Sequence, residues 1–198
     1  MKHVPNILTI IRILLAVTIP FILLQNTLVM DITALIIFVI AALTDYYDGK
    51  LSRKHNIIST FGKMMDPIAD KALTLTAFFM FFLFEYLPLW VFVIIAFREI
   101  LITIIRLYFL VKGKAIAAER AGKVKTTFQF ITLSFIYIAM MHNDYIMKFY
   151  ENTNIAINVQ NGLLILMYIL IATSLYFTLY SGFLFFKANK KLFIGKKK

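Results

Sequence analysis

Residues 31–85 read DITALIIFVIAALTDYYDGKLSRKHNIISTFGKMMDPIADKALTLTAFFMFFLFE. Two apolar runs, 31–49 and 64–85, are joined by a polar turn with Arg53, Ser59 and Gly62, and the run ends beside it carry Asp45, Asp48 and Gly49 on one side and Asp66 and Asp70 on the other. As helices rising about 1.5 Å per residue, both runs come close to or exceed the roughly 30 Å of a bilayer's hydrocarbon. The stretch predicts a helical hairpin through a membrane. Carboxylates placed beside lipid need a reason, so the turn is also where chemistry is expected.

Outward from this hairpin, further apolar runs lie near 7–29, 88–111, 127–147 and 156–186. The chain is 61% apolar, with a mean hydropathy of +0.83, far from the roughly half-apolar usage of soluble domains. The expectation is an all-α, polytopic membrane protein with six transmembrane helices. Gln25 and Asn26 close the first run and Asp31 opens the second, which predicts a tight hairpin between them.

The net charge of +11 is distributed unevenly. Basic residues gather at Lys2, from Lys50 to Lys71, from Lys112 to Lys125 and from Lys187 to Lys198, all on one side if six helices alternate. Lys148 stands opposite, with Asp31, Glu85, Asp144 and Glu151 in or beside the opposite turns. The positive-inside rule then puts both termini and the aspartate turn in the cytoplasm, in a multi-pass protein of the cell (plasma) membrane. Because the charges follow helix ends, orientation and anionic headgroups account for them, and no nucleic-acid partner is expected.

The first run carries Asn6, Thr9 and Arg12 and no small-x-small cleavage site, so the N-terminal segment is expected to be retained. Cysteine is absent, which excludes disulfides and thiolate metal sites. His3, His55 and His142 are scattered and do not form a ligand set. No repeat or linker divides the chain, so residues 1–198 are read as one domain with a lysine-rich cytoplasmic tail from about 187.

Within the turn, Asp45, Asp48 and Gly49 share one helix face by their spacing of three and four, and Gly62, Asp66 and Asp70 form a second stripe at intervals of four. Four carboxylates facing one cleft repel one another unless cations neutralise them. Oxygen donors without Cys or His select hard ions, Mg2+ or Mn2+, and two such ions suit an in-line displacement at phosphorus. Gly49 and Gly62 allow close approach to the backbone, Arg53 can fork onto phosphate oxygens, and Ser59 offers a hydroxyl. Proline disfavours helix at the residue before it, so the third helix is expected to start or kink at Asp66-Pro67.

This spacing, DxxDGxxSR, eight residues, then GxxxDxxxD, resembles the signature of the CDP-alcohol phosphatidyltransferases, which are six-helix membrane enzymes. The match departs at Ser52, where that family usually has alanine; serine is also small. The resemblance implies that Asp45, Asp48, Asp66 and Asp70 hold two divalent cations. It also implies that Gly49, Arg53, Ser59 and Gly62 contact the CDP-lipid, and that Asp70 doubles as general base. Metal coordination lowers a carboxylate's proton affinity, so a metal-polarised hydroxyl would share that work. The opening Pro5-Asn6-Ile7-Leu8-Thr9 is similar to the family's first segment, where Asn6 and Thr9 would line the nucleotide pocket.

Arg98-Glu99-Ile100, Arg106 and Gly122-Lys123-Val124-Lys125-Thr126-Thr127 resemble the bacterial branch that uses sn-glycerol 3-phosphate as acceptor. That resemblance, over roughly residues 4 to 130, implies transfer from CDP-diacylglycerol to give phosphatidylglycerophosphate and CMP. It also implies a homodimer among membrane lipids. Residue chemistry agrees with an anionic acceptor: Arg98 and Arg106 lie in an apolar run where a charge at the bilayer centre costs at least about 2.5 kcal/mol, so they need anionic company. Lys123 and Lys125 add positive charge that an acceptor phosphate can use. The alternatives are another acceptor in the same family (inositol phosphate, serine or phosphatidylglycerol) or a cation transporter. A transporter would hold its carboxylates at the midplane rather than at helix ends. Membrane prenyltransferases also pair aspartate motifs, but on helices far apart in sequence, whereas Asp48 and Asp66 are eighteen positions apart.

Overall fold

The computed structural model describes the backbone of residues 4–55, 60–113, 120–143 and 154–193; within these, the side chains of 4–9, 45–55, 60–64, 66, 67, 120, 191 and 193 are not described. Among the described residues every regular element is a helix. These are α1 (Val4–Leu23), α2 (Leu28–His55), α3 (Thr60–Leu83), α4 (Leu89–Val111), α5 (Arg120–Met141), α6 (Asn154–Ala188) and a short α7 (Lys190–Phe193).

Six long helices match the six apolar runs, and their ends differ in an instructive way. α2 continues to His55, beyond the apolar run that ends at 49, and α3 begins at Thr60, ahead of the run that begins at 64. Hydropathy marks where hydrocarbon can surround a helix, while good helix formers such as Lys50, Leu51, Arg53 and Lys54 carry the helix on into polar surroundings. α3 also runs unbroken through Pro67, so the expected start there is replaced by a start at Thr60. α5 likewise opens at Arg120 and includes Lys123 and Lys125 within its first turns.

The turn between α3 and α4 is set by hydrogen bonds to carbonyls of the last helical turn. Glu85 N–H donates to Phe82 O at 3.0 Å and Tyr86 N–H to Phe81 O at 2.9 Å, the paired bonds of a Schellman motif. The residue at its left-handed position is Glu85, with φ of 63°, rather than glycine. A side chain there is strained by about 1 kcal/mol. Glu85→Gly is therefore expected to raise the thermal unfolding midpoint in detergent, and a lowered midpoint would count against the strain. Asn26, φ 48°, plays the corresponding part between α1 and α2, where asparagine's tolerance of this region suits the tight hairpin.

α3 is the hub, in contact with α1, α2, α4 and α5, while α6 packs on α5 and α4. Aromatic rings fill the centre: Phe38 stacks on Phe130 at 5.2 Å and meets Tyr137, which Phe81 approaches edge-on at 4.7 Å. Phe128 stacks on Phe177 at 4.4 Å and joins α5 to α6. On α4 the inward stripe is Val91, Ile95, Glu99 and Ile102, and the outward stripe is Trp90, Val93, Phe97, Ile100 and Ile104. An outside this apolar is unusual for a protein surrounded by water. By length and composition, Ala121–Met141 and Asn154–Ala188 can each cross a membrane, and Ile10–Leu23 and Leu28–Thr44 are shorter apolar stretches.

Candidate active site

The aspartate turn is carried on two helices. Asp45, Asp48, Gly49 and Arg53 lie on α2, and Gly62, Asp66 and Asp70 on α3, so the spacings of three and four that put them on common faces are preserved by helical backbone. The side chains of Asp45, Asp48, Arg53 and Asp66, the surroundings of Gly49 and Gly62, and Ser59 altogether lie outside the described residues, as do the side chains of Asn6 and Thr9 on α1. Among the described residues no group of three carboxylate, histidine or cysteine side chains is gathered.

Asp70 is described, and it opens onto a buried polar cluster. Its carboxylate pairs with the ammonium of Lys71, and its carbonyl accepts the Thr74 hydroxyl at 2.9 Å. Lys71 in turn lies 3.6 Å from Glu99 Oε2. Glu99, 1% exposed, is the centre of the cluster. Its Oε1 accepts from Lys125 Nζ at 2.5 Å and from Arg98 Nη1 at 3.1 Å, with Gln129 Nε2 at 3.4 Å. The rest of the cluster ties α6 in: Arg98 Nη2 donates to Ser181 Oγ at 2.9 Å and Gln129 Nε2 to Thr178 Oγ1 at 3.2 Å.

The physical logic is that of buried charge. A carboxylate removed from water is tolerated only when paired and hydrogen-bonded, and Glu99 draws cations from three helices, Lys71 of α3, Arg98 of α4 and Lys125 of α5. With Asp70, and among the described residues, the cluster holds three cations and two carboxylates, an excess of one positive charge. Such a surplus in a partly desolvated site is an anchor for an anion.

Of the four acceptor candidates, Arg98 and Lys125 are brought together by their shared carboxylate. Arg106 lies two turns further along α4, with its guanidinium 5.5 Å from the ring centre of Phe185, on the same α4–α6 seam as the Arg98–Ser181 bond. Lys123 is exposed and is not part of the cluster. Lys125, by contrast, is 2% exposed and turned inward rather than toward headgroups. Lys71, Gln129, Thr178 and Ser181 were not among the sequence-derived candidates, and Glu99 entered only as part of a motif. A signal for Glu99 was present, since it is the one carboxylate inside the fourth apolar run.

Comparison with known proteins bears on the same residues. The family described as CDP-alcohol phosphatidyltransferase matches residues 2–184. A Rickettsia felis protein named CDP-diacylglycerol--glycerol-3-phosphate 3-phosphatidyltransferase is 32% identical over 196 residues, 97% of this chain and 98% of its own. Proteins of the same name from Bacillus subtilis and Escherichia coli are similar over shorter spans. The first is 39% identical over 108 residues, 54% of either chain; the second is 36% identical over 143 residues, 68% of this chain and 76% of its own. A match that includes the aspartate turn, the Glu99 cluster and most of α6 makes this chain a member of the CDP-alcohol phosphatidyltransferase family.

Proposed function

We propose that the chain transfers the phosphatidyl group of CDP-diacylglycerol to sn-glycerol 3-phosphate, forming phosphatidylglycerophosphate and releasing CMP. The observation that carries this reading is the near full-length similarity to a relative named for that transfer. The positive surplus around Arg98 and Lys125 supports an acceptor that brings a phosphate of its own.

In this reading residues 1–198 form one domain that crosses the cell membrane six times, with both termini and the aspartate turn on the cytoplasmic side and a homodimer as the working unit. The outward apolar stripe of α4 and the basic residues at alternate helix ends support that placement. Asp45, Asp48, Asp66 and Asp70 would hold two divalent cations, and their oxygen-only donor set fits Mg2+ or Mn2+. Bound there, the ions would offset charge on the pyrophosphate of the CDP-lipid.

The chain's own residues divide the remaining work. Asn6, Thr9, Gly49, Arg53, Ser59 and Gly62 receive the CDP-lipid, the glycines by leaving room for the headgroup and Arg53 by forking onto phosphate oxygens. Arg98 and Lys125 grip the acceptor phosphate, Arg106 extends that positive seam, and exposed Lys123 draws the anion in from the cytoplasmic surface. Asp70 takes the proton of the acceptor hydroxyl as its oxygen bonds to the phosphorus bearing diacylglycerol. The bond from that phosphorus to the CMP oxygen breaks, and CMP leaves with the electron pair.

The test is CMP release by purified protein from CDP-diacylglycerol with Mg2+ or Mn2+. Release is expected with glycerol 3-phosphate and not with inositol phosphate, serine or phosphatidylglycerol. Turnover confined to one of the other acceptors overturns the acceptor assignment, and cation flux through vesicles without any need for CDP-lipid overturns the reaction.

A further inference from the structure

We propose that Glu99 is the positioning residue of the acceptor site: its buried carboxylate holds Arg98 and Lys125 in the geometry that grips the acceptor phosphate, and couples them through Lys71 to Asp70. The inference rests on the glycerol 3-phosphate reading.

Three observations carry it. The two Glu99 oxygens are used unequally: Oε1 accepts from Lys125 at 2.5 Å and from Arg98 at 3.1 Å, while Oε2 has Lys71 at 3.6 Å and no hydrogen bond among the described residues. One oxygen therefore draws Arg98 and Lys125, from two different helices, to the same point, and a guanidinium and an ammonium so close would otherwise repel. Secondly, these cations are not saturated by that oxygen. Arg98 carries a second fork nitrogen whose partner, Ser181, is neutral, and the lysine ammonium has three donors. Donors remain for a phosphate without Glu99 having to leave. Thirdly, Lys71 lies between Glu99 and Asp70, and so links the acceptor cations to the carboxylate proposed above as the base. A chain of ion pairs of this kind sets the acceptor phosphate and the base relative to each other, which is the form of positioning that lowers a bimolecular barrier.

A carboxylate in an anion site invites the opposite reading, in which Glu99 merely repels the substrate and its charge tempers affinity. The two readings differ in sign. If Glu99 positions the cations, Glu99→Gln, which keeps the shape and removes the charge, raises KM for glycerol 3-phosphate at least tenfold and leaves KM for CDP-diacylglycerol within twofold of wild type. If it only repels, KM for glycerol 3-phosphate falls.

The experiment measures both Michaelis constants, kcat and the thermal midpoint of Glu99→Gln in detergent. It adds the double variant Glu99→Gln/Gln129→Glu, which returns a carboxylate to the cluster one helical turn from Lys125 and beside Thr178. The inference expects the selective rise in acceptor KM and at least a threefold recovery in the double variant. It is overturned by an unchanged or lowered acceptor KM. It is equally overturned if both Michaelis constants worsen together with the midpoint, which marks a purely structural role. Should the single variant fail to fold, the double variant decides: an acceptor KM near wild type supports positioning by a carboxylate, and a folded double variant with both constants impaired removes it. Wild-type protein serves as the control for the underlying reading. If it turns over only another acceptor, the proposed function fails and takes this inference with it; if it uses glycerol 3-phosphate and Glu99→Gln leaves the acceptor KM unchanged, the inference alone fails.

Discussion

Asp70→Asn is expected to lower kcat by about 10²–10⁴-fold, the usual contribution of a positioned general base, while binding of CDP-diacylglycerol in equilibrium dialysis or calorimetry stays within a few-fold of wild type. Asparagine preserves the size of the side chain and its acceptor oxygen, but it cannot take up the hydroxyl proton. Binding and turnover lost in parallel would assign Asp70 to holding the CDP-lipid site rather than to proton transfer. Full turnover by the variant would remove it from the chemistry.

Lys125→Met carries the largest expected effect on stability. Methionine fills the space of the lysine stem, yet it leaves the Glu99 carboxylate without its 2.5 Å partner in a site where both residues are almost fully buried. Breaking a buried pair on one side costs about 3–5 kcal/mol when the remaining charge has no other partner; Arg98 at 3.1 Å and Lys71 at 3.6 Å stay beside Glu99, so a loss of about 1–3 kcal/mol is expected. Chemical unfolding in mild detergent should show that loss, and the paired change Lys125→Met/Glu99→Gln should regain part of it, because the Glu99 charge is gone although Arg98 then gives up its carboxylate partner. The acceptor KM of the paired variant is expected to remain raised, since the proposed donor to the acceptor phosphate is gone. A loss below about 1 kcal/mol in the single variant would show that Arg98 and Lys71 alone suffice to compensate Glu99.

The helical architecture was legible because six apolar runs stand apart from their polar turns, and because hydrocarbon-facing and core-facing positions on a buried helix are both apolar. Helix ends were less legible for the same reason. Hydropathy stops at Gly49, while the helix continues to His55 on residues that favour helix irrespective of polarity. Pro67 was expected to mark a helix start or a kink, and the start lies earlier, the helix running through it from Thr60.

The candidate site divides similarly. The aspartates were legible because their spacing repeats a helical face, and Arg98 was legible as a charge in need of an anion. Its neighbour in sequence proved to be that anion. Adjacent residues on a helix point about 100° apart, so a contact between them depends on long side chains reaching a common point, and spacing rules give no warning of it. Lys123 and Lys125 were treated alike, although positions two apart lie on nearly opposite sides of a helix; one faces outward and the other is buried. Thr178 and Ser181 were illegible because only the packing of α6 on α4 and α5 brings them within reach.

The cluster around Glu99 also bears on how such a protein can change over generations. Its charges are shared among α3, α4 and α5, with hydrogen bonds donated to α6, so one codon altered at Glu99 or Lys125 strands a partner inside the protein. A lineage adapting to an uncharged acceptor would have to exchange these residues together, or pass through an intermediate that folds poorly. In the proposed reading, substrate choice is thereby held in place by the stability of the fold itself, a barrier that selection on turnover alone does not lower.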